Sequence, residues 1–252
     1  MRKRLILGVV AGLLLVTTVI TDRVTASAAA GRLTERLRCA AGLSSDPSVS
    51  FGGFPFLSQL ALGTFDSIRV AADDVPAGRY RVGVEATATG VRLPDGGAVR
   101  ADSLKATITI GYDLLRAAGA TDGSTPTAVA GLLDEVTADD SGHLLFSATR
   151  TLFGRKIPVT VIATPEISGG ELTVRPVEVE VPSAGLRLPA TRFGALKQLP
   201  SAGLPELPGG LSWTGVTATP DGLRLSVEGT GLTTDTLAAG SSARCGSPGG
   251  TA

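Results

Sequence analysis

The chain has 252 residues, a length that suits one large domain or two small ones. Its 23 Lys and Arg residues balance its 23 Asp and Glu residues, so no overall charge draws it to nucleic acid, and no nucleic-acid partner is expected. Hydrophobic residues make up 43% of the chain, aromatic residues make up only 4%, and 33 residues are glycine. This composition favours many short strands joined by turns over a helical bundle.

The N-terminus has the pattern of a targeting segment. Basic residues at positions 2–4 precede an uncharged, mostly apolar run from Leu5 to Ile20, so the rest of the chain is predicted to be exported to the periplasm or another extracytoplasmic space. Ala26-Ser27-Ala28 offers a cleavage site, but it lies well beyond the run. We therefore expect a signal peptide or membrane anchor (1–21), one folded domain (22–239) and a flexible tail (240–252), with cleavage and anchoring both left open.

A helix is predicted over residues 22–41, ending before Gly42. Its apolar residues lie near one stripe, formed by Val24, Ala28, Leu33 and Leu37.

An aromatic corner follows between positions 51 and 65, where four of the seven phenylalanines and no charged residue occur. The glycines at 52 and 53 and the proline at 55 take the chain out of a strand. Phe56, Leu57 and Leu60 then share one face of a short helical turn that ends at Gly63. Two interpretations stay open: a packed corner of the core, or the apolar mouth of a cavity.

The following segments alternate between apolar and polar residues, as expected for antiparallel strands covered on one side. A turn is predicted at 95–97, and helices are predicted at 112–118 and 127–136. The apolar positions of the strands are Ile68, Val70 and Ala72; Tyr80, Val82, Val84, Ala86 and Ala88; Leu104, Ala106, Ile108 and Ile110; Leu144, Phe146 and Ala148; Ile157, Val159, Val161 and Ala163; and Leu172 and Val174.

Two local signals mark the last third of the chain. After Pro176 the apolar phase shifts by one residue, to Val177 and Val179, which predicts a β-bulge. Pro220-Asp221-Gly222 predicts a hairpin between strands at 210–219 and 223–227. About nine one-sided strands and three helices indicate an α+β fold, in which an elongated, curved antiparallel sheet wraps around helices.

Few residues suit catalysis or metal binding. Cys39 and Cys245 are expected to form a disulfide in an oxidising compartment, with two free buried thiols as the alternative. His143 is the only histidine and is predicted to end a turn rather than to act as a base. No G-x-S-x-G motif occurs. No metal, no cofactor and no enzymatic activity are therefore expected.

Several motifs occur in a characteristic order and spacing along the chain. They are the apolar run with Asp22-Arg23, Phe54-Pro55-Phe56-Leu57 with Gly63, the alternating strands, residues 157–161, Gly169-Gly170-Glu171-Leu172, Arg175-Pro176 and residues 220–223. In these motifs the chain resembles the LmeA-like phospholipid-binding family of exported actinobacterial proteins, over most of its length beyond the targeting segment. The resemblance implies a tubular lipid-binding (TULIP-like) fold, phospholipid binding outside the plasma membrane and a role in envelope glycolipid assembly.

A carrier of phospholipid or another acyl lipid, working at a membrane surface, is our first hypothesis. Arg69, Arg81 and Arg155 are candidates to bind a lipid phosphate, by residue type. Two alternatives are a structural or protein-interaction module without a cavity, and an envelope hydrolase with acidic residues and His143 in one cleft. The residues expected to form or line the lipid cavity are Phe51, Phe54, Phe56, Leu57, Leu60, Phe65, Val82, Val84, Leu144 and Phe146.

Overall fold

The computed structural model describes residues 2–77, 80–94, 98–114, 135–152, 155–193 and 201–234, with side chains from residue 18 onward except at 40, 80, 150–152 and 155. These residues form an α+β structure dominated by antiparallel strands, as predicted. The elements are α1 (Arg2–Ala41), β1 (Ser48–Gly52), α2 (Phe56–Leu62), β2 (Thr64–Ala77), β3 (Tyr80–Arg92), β4 (Arg100–Ile110), β5 (Glu135–Ala138), β6 (Leu144–Leu152), β7 (Arg155–Ser168), β8 (Glu171–Val181), β9 (Leu186–Pro189), β10 (Ala202–Gly203), β11 (Leu211–Thr219) and β12 (Gly222–Thr233), with short 3-10 turns at Pro182–Ala184 and Ala190–Arg192.

The strands form two six-stranded sheets instead of the one sheet expected from the sequence. The first sheet has the order β1-β2-β3-β4-β12-β11, and the second has the order β10-β8-β7-β6-β5 with β9 also paired to β8. The middle of the chain therefore builds the second sheet, and the C-terminal hairpin returns to the first by pairing β12 with β4. Alternation within a strand determines its two faces but not its partner strands, so this division into two sheets could not be predicted from the alternation.

The two sheets pack against each other at one end of the first sheet. Val136, Leu144 and Leu172 from the second sheet contact Leu223 and Leu225 of β12 in one buried cluster. At the other end of the first sheet, the aromatic corner forms a separate cluster. The apolar face of the first sheet thus runs between two packed regions.

Both local predictions for the last third are confirmed. The pairing of β7 with β8 shifts register where Ile162 lies opposite Glu178 and Ala163 lies opposite Pro176, so Val177 is the extra, exposed residue of a bulge. Thr219 pairs with Gly222 across the predicted hairpin. The end of the helix predicted at 127–136 is wrong, because Val136 belongs to β5 and pairs with Phe146. The rest of that helix, and the turn at 95–97, lie outside the described residues.

Helix α1 ends at Ala41, as predicted, but its packed face differs from the predicted stripe. Val24 is 62% exposed, whereas Asp22 is buried, and Ala26 and Ala29 pack against the aromatic corner. Small alanines allow α1 to approach the corner closely. Amphipathic patterning gives more weight to larger apolar residues, so the predicted stripe omitted both of these alanines. In the part of the chain whose side chains are described, no helix is both long enough and apolar enough to cross a membrane.

Candidate functional site

The aromatic corner is a packed cluster at one end of the first sheet. The ring centroid of Phe51 lies 5.1 Å from that of Phe56 and 5.5 Å from that of Phe65, and the centroids of Phe56 and Phe65 are 5.9 Å apart. Phe56 and Phe65 are only 2% and 4% exposed, and they pack with Val91 of β3. These separations suit favourable tilted ring pairs, so the three rings fix the position of α2.

Two buried polar side chains hold α2 in place, and neither was predicted. Pro55 precedes the helix and offers no side-chain cap, but the Asp22 carboxylate of α1 accepts a 2.8 Å hydrogen bond from the backbone N–H of Leu57. Gln59 donates to the carbonyl of Gly52 and accepts from the N–H of Asp66. Helix α2 is therefore tied to α1, β1 and β2. The second carboxylate oxygen of Asp22 is buried without a hydrogen-bond partner among the described residues.

The outer surface of this end is apolar. Ten large apolar side chains are exposed in the described part of the chain, and five of them lie on or beside α2, with exposures from 38% to 75%. Leu93 joins this group because its N–H donates a 2.7 Å hydrogen bond to the carbonyl of Gly63, at the end of α2. We call the five residues the corner patch: Phe54, Leu57, Leu60, Leu62 and Leu93.

The alternation of the first sheet is interrupted beside the corner at a row of residues that includes two left-handed glycines. Gly90 and Gly231 have φ of 60° and 63°, and the Asp102 carboxylate occupies the space that a Cβ on Gly90 would need. Inward-facing residues on either side of this row are three positions apart instead of two or four. They are Phe65 and Ile68 on β2, Ala88 and Val91 on β3, and Ala101 and Leu104 on β4. All of them except Phe65 line one cavity.

The cavity lies on the inner face of the first sheet and has a volume of about 210 Å³. Its walls are almost entirely aliphatic, and Val91 belongs both to the cavity wall and to the aromatic cluster. Beyond it the apolar face continues, half-buried, through Ala106, Val84 and Ile108. The lining residues are Ile68, Val70, Ala86, Ala88, Val91, Val99, Arg100, Ala101, Leu104, Leu232, Thr233 and Thr234.

None of the ten predicted site residues belongs to this lining. One end of the cavity lining packs against the rings of Phe51, Phe56 and Phe65. The corner patch contains the exposed side chains of Phe54, Leu57 and Leu60. Val82 and Val84 lie on the inner face of β3 farther along the same strand. Leu144 and Phe146 belong to the core between the sheets. Lipid contact by these ten residues therefore stays a prediction.

The small side chains of the lining explain why sequence reasoning missed it. The alternating pattern predicts inward-facing positions that include Ala86, Ala88 and Leu104. The predicted cavity residues, however, are mostly large or aromatic. Alanine on an inward face leaves space that a larger residue would fill. A run of alanines on adjacent strands was the signal that could have located the cavity.

The three arginines predicted to bind phosphate are not in the lining. Arg69 donates weakly to Thr87 on the outside of the sheet, and Arg81 donates to Ser44 and to the carbonyl of Asp74. The side chain of Arg155 lies outside the described residues. Arg100 is instead the charged residue at the cavity, and its guanidinium makes no hydrogen bond or ion pair with the side chains or backbone that the structure describes. Its cross-strand neighbour, Arg92, is paired with Asp102 at 3.1 Å.

The polar pair formed by Asp139 and His143 closes the turn between β5 and β6. The Asp139 carboxylate accepts from the backbone N–H groups of Ser141 and His143, and its second oxygen lies 2.9 Å from His143 Nδ1. Burial tends to raise the pKa of Asp139, but these hydrogen bonds outweigh it and lower the pKa below its ordinary value. His143 thus ends a turn on the second sheet, away from the cavity.

Two further predictions concern metal binding and a disulfide. In the residues described, no three His, Cys, Asp or Glu side chains are grouped to hold a metal ion. Cys39 lies on α1, but Cys245 and the whole tail at 240–252 lie outside the described residues, so their disulfide stays a prediction.

An antiparallel α+β scaffold with an aliphatic cavity and few polar groups suits an apolar ligand. The chain belongs to the LmeA-like phospholipid-binding family, whose model matches residues 20–228. This confirms the resemblance, and it associates the chain with a lipid-binding family rather than an enzyme family. No significantly similar protein was found among curated proteins or among solved structures.

Proposed function

We propose that this protein is an exported, non-enzymatic phospholipid carrier of the cell envelope that holds an acyl chain against the inner face of its first sheet. The observation that carries the proposal is the aliphatic cavity between the aromatic corner and β12, in a chain of a phospholipid-binding family. The two twisted sheets would form the wall of a tubular, TULIP-like lipid-binding fold.

The cavity volume suits part of one acyl chain. If a methylene group takes about the 30 Å³ that one water takes in the liquid, 210 Å³ holds roughly seven methylenes. Their complete burial would be worth about 5–6 kcal/mol, at about 0.8 kcal/mol each, and this is an upper bound because the cavity is open on one side. The rest of a long chain would extend along the half-buried face past Ala106 and Val84, which would bring the predicted Val84 into contact with lipid.

The polar headgroup would lie at the open end of the cavity, beside Arg100. This guanidinium is exposed and has no partner in the described chain, and Thr233 and Thr234 lie near it in the lining. Arginine matches the geometry of a phosphate, so an anionic headgroup could compensate its charge there. Arg69 and Arg81, which lie outside this lining, are poorer candidates.

The cellular part of the proposal comes from the targeting segment and the family. An apolar N-terminal run behind three basic residues is typical of export, and it would place the cavity beside the outer leaflet of the plasma membrane. In that position a lipid carrier would support assembly of envelope glycolipids.

The experiment fills the cavity and measures bound lipid. Ala86→Phe places a ring inside the cavity, whereas Glu85→Phe places the same ring on the opposite face of the same strand. The full-length variants are purified in the same detergent, and a phospholipid with a fluorescent acyl chain is titrated into each. We expect Ala86→Phe to reduce binding at least about tenfold, since it excludes several methylenes, and Glu85→Phe to bind as the wild type does. Equal binding by all three proteins would refute an acyl site in this cavity.

A further inference from the structure

We infer that the corner patch is a membrane-docking surface that seats the open end of the cavity on a lipid bilayer. The inference rests on the proposed function, and it adds a partner, the bilayer surface, and the part of the molecule that touches it. Helix α2 has an apolar outward side.

Only Phe56 and Gln59 of α2 are buried, and both point into the corner. The exposed residues of the helix are Leu57, Ser58, Leu60, Ala61 and Leu62, so a single hydroxyl is the polar group on its outward side. A surface helix in water carries charged or polar residues on its outer face. A helix that is apolar on both sides is stable where something other than water covers it.

The course of α1 indicates that the cover is lipid. The uncharged run from Leu5 ends at Ile20, two residues before Asp22, whose carboxylate binds the N–H of Leu57 in α2, and α1 continues through this point without a break. An environment suited to that run therefore ends close to α2. A second copy of the chain could cover α2, but it would not explain why an apolar run that follows three basic residues ends beside this helix.

The charges around the patch also suit a bilayer surface. The Arg23 guanidinium lies 5.7 Å from the centre of the Phe54 ring, an arrangement in which an arginine covers an apolar surface and keeps its charge at the edge. Arg100 lies at the same end of the first sheet, because the start of β4 pairs with the ends of β3 and β12. Both cations could reach lipid phosphates while the leucines enter the acyl region.

Docking through this patch would bring the cavity to the bilayer. The lining includes Val91 near the end of β3, Thr234 just after β12 and Val99 just before β4. Leu93, next to the end of β3, belongs to the patch. A lipid could then move between bilayer and cavity without crossing water. The patch would act as the entrance, and the cavity behind it as the binding site.

A pair of tryptophan reporters with matched exposure tests this. Leu60 in the patch and Leu186 on β9 of the second sheet are 48% and 45% exposed. Each is changed to Trp in a full-length Trp213→Phe background, and the protein is reconstituted into vesicles of phosphatidylcholine and phosphatidylglycerol whose acyl chains carry bromine. We expect Leu60→Trp to be blue-shifted and quenched by the brominated lipid, and Leu186→Trp to remain unquenched.

A second pair of variants links docking to loading. Leu60→Asp with Leu62→Asp should slow the uptake of a fluorescent phospholipid from vesicles by about tenfold, with unchanged binding in detergent. Val177→Asp with Leu186→Asp should leave both unchanged. An unquenched Leu60→Trp, or one that is blue-shifted by contact with a second copy and not by lipid, would overturn the inference. If docking is observed while Ala86→Phe binds lipid normally, the proposed function fails and the docking surface stands.

Discussion

Replacing Phe56 tests which of two roles this ring has. The sequence left open whether it lines a cavity or packs in the core. The ring is 2% exposed, and two other rings lie 5.1 Å and 5.9 Å from it, centroid to centroid. It also positions α2, whose outward face forms much of the corner patch. We therefore expect Phe56→Ala to unfold the corner rather than merely to empty a binding site.

The size of the effect follows from burial. Removing a fully buried phenylalanine costs about 3–5 kcal/mol, and the loss of two ring pairs places Phe56→Ala in the upper half of that range. For a domain with a stability of about 5–15 kcal/mol, this lowers Tm by roughly 10–15 °C. Phe54→Ala is the matched control, because Phe54 is 52% exposed and contacts Arg23 at the surface. It should cost about 1 kcal/mol or less.

The measurement is urea unfolding of the full-length proteins in one mild detergent, followed by circular dichroism. The two variants should differ by about 3–5 kcal/mol in the free energy of unfolding. If Phe56→Ala instead loses less than about 1 kcal/mol while its bound lipid falls sharply, the ring is a cavity wall and the packing argument is refuted.

Three further predictions concern single polar groups. Arg100→Gln should weaken the binding of an anionic phospholipid about fivefold, measured by fluorescence titration, because an exposed guanidinium contributes about 1 kcal/mol to binding a phosphate. Asp22→Ala should cost about 1–2 kcal/mol in urea unfolding, because it removes the acceptor for the N–H of Leu57. Asp139→Asn should cost about 0.5–1 kcal/mol near neutral pH. Since the folded state lowers the pKa of Asp139 from 3.8, this contribution is complete above that value and is lost as the pH falls through the lower folded pKa.

Each of these has a control. Arg69→Gln removes an arginine from the outer face and should leave lipid binding unchanged; equal losses in the two arginine variants would indicate a general charge effect. Asp22→Asn keeps an acceptor oxygen and should recover most of the stability lost in Asp22→Ala. For Asp139, urea midpoints of wild type and variant should converge as the pH falls below 3.8, and a constant difference down to acid pH would contradict the assigned role.

Local features of the fold could be predicted from the sequence alone. Period-two alternation identified the strands and their apolar faces, the phase shift after Pro176 located the bulge, and Pro220-Asp221-Gly222 located the hairpin. Gly42 marked the end of α1. The family could also be identified from the order and spacing of motifs. Each of these depends on interactions between residues that are close in the chain, where backbone geometry alone restricts the structure.

The site was decided by contacts between distant residues. Pairing β12 with β4, more than a hundred residues away, closed one wall of the cavity, and it also set the sheet boundary that placed Leu144 in the core. A cavity forms where side chains from several strands are too small to fill the space between them. The small residues of one strand therefore do not reveal the cavity. Similarly, the sequence showed that the corner was apolar, but only the packing of α2 determined that Phe56 faces inward and Leu60 outward.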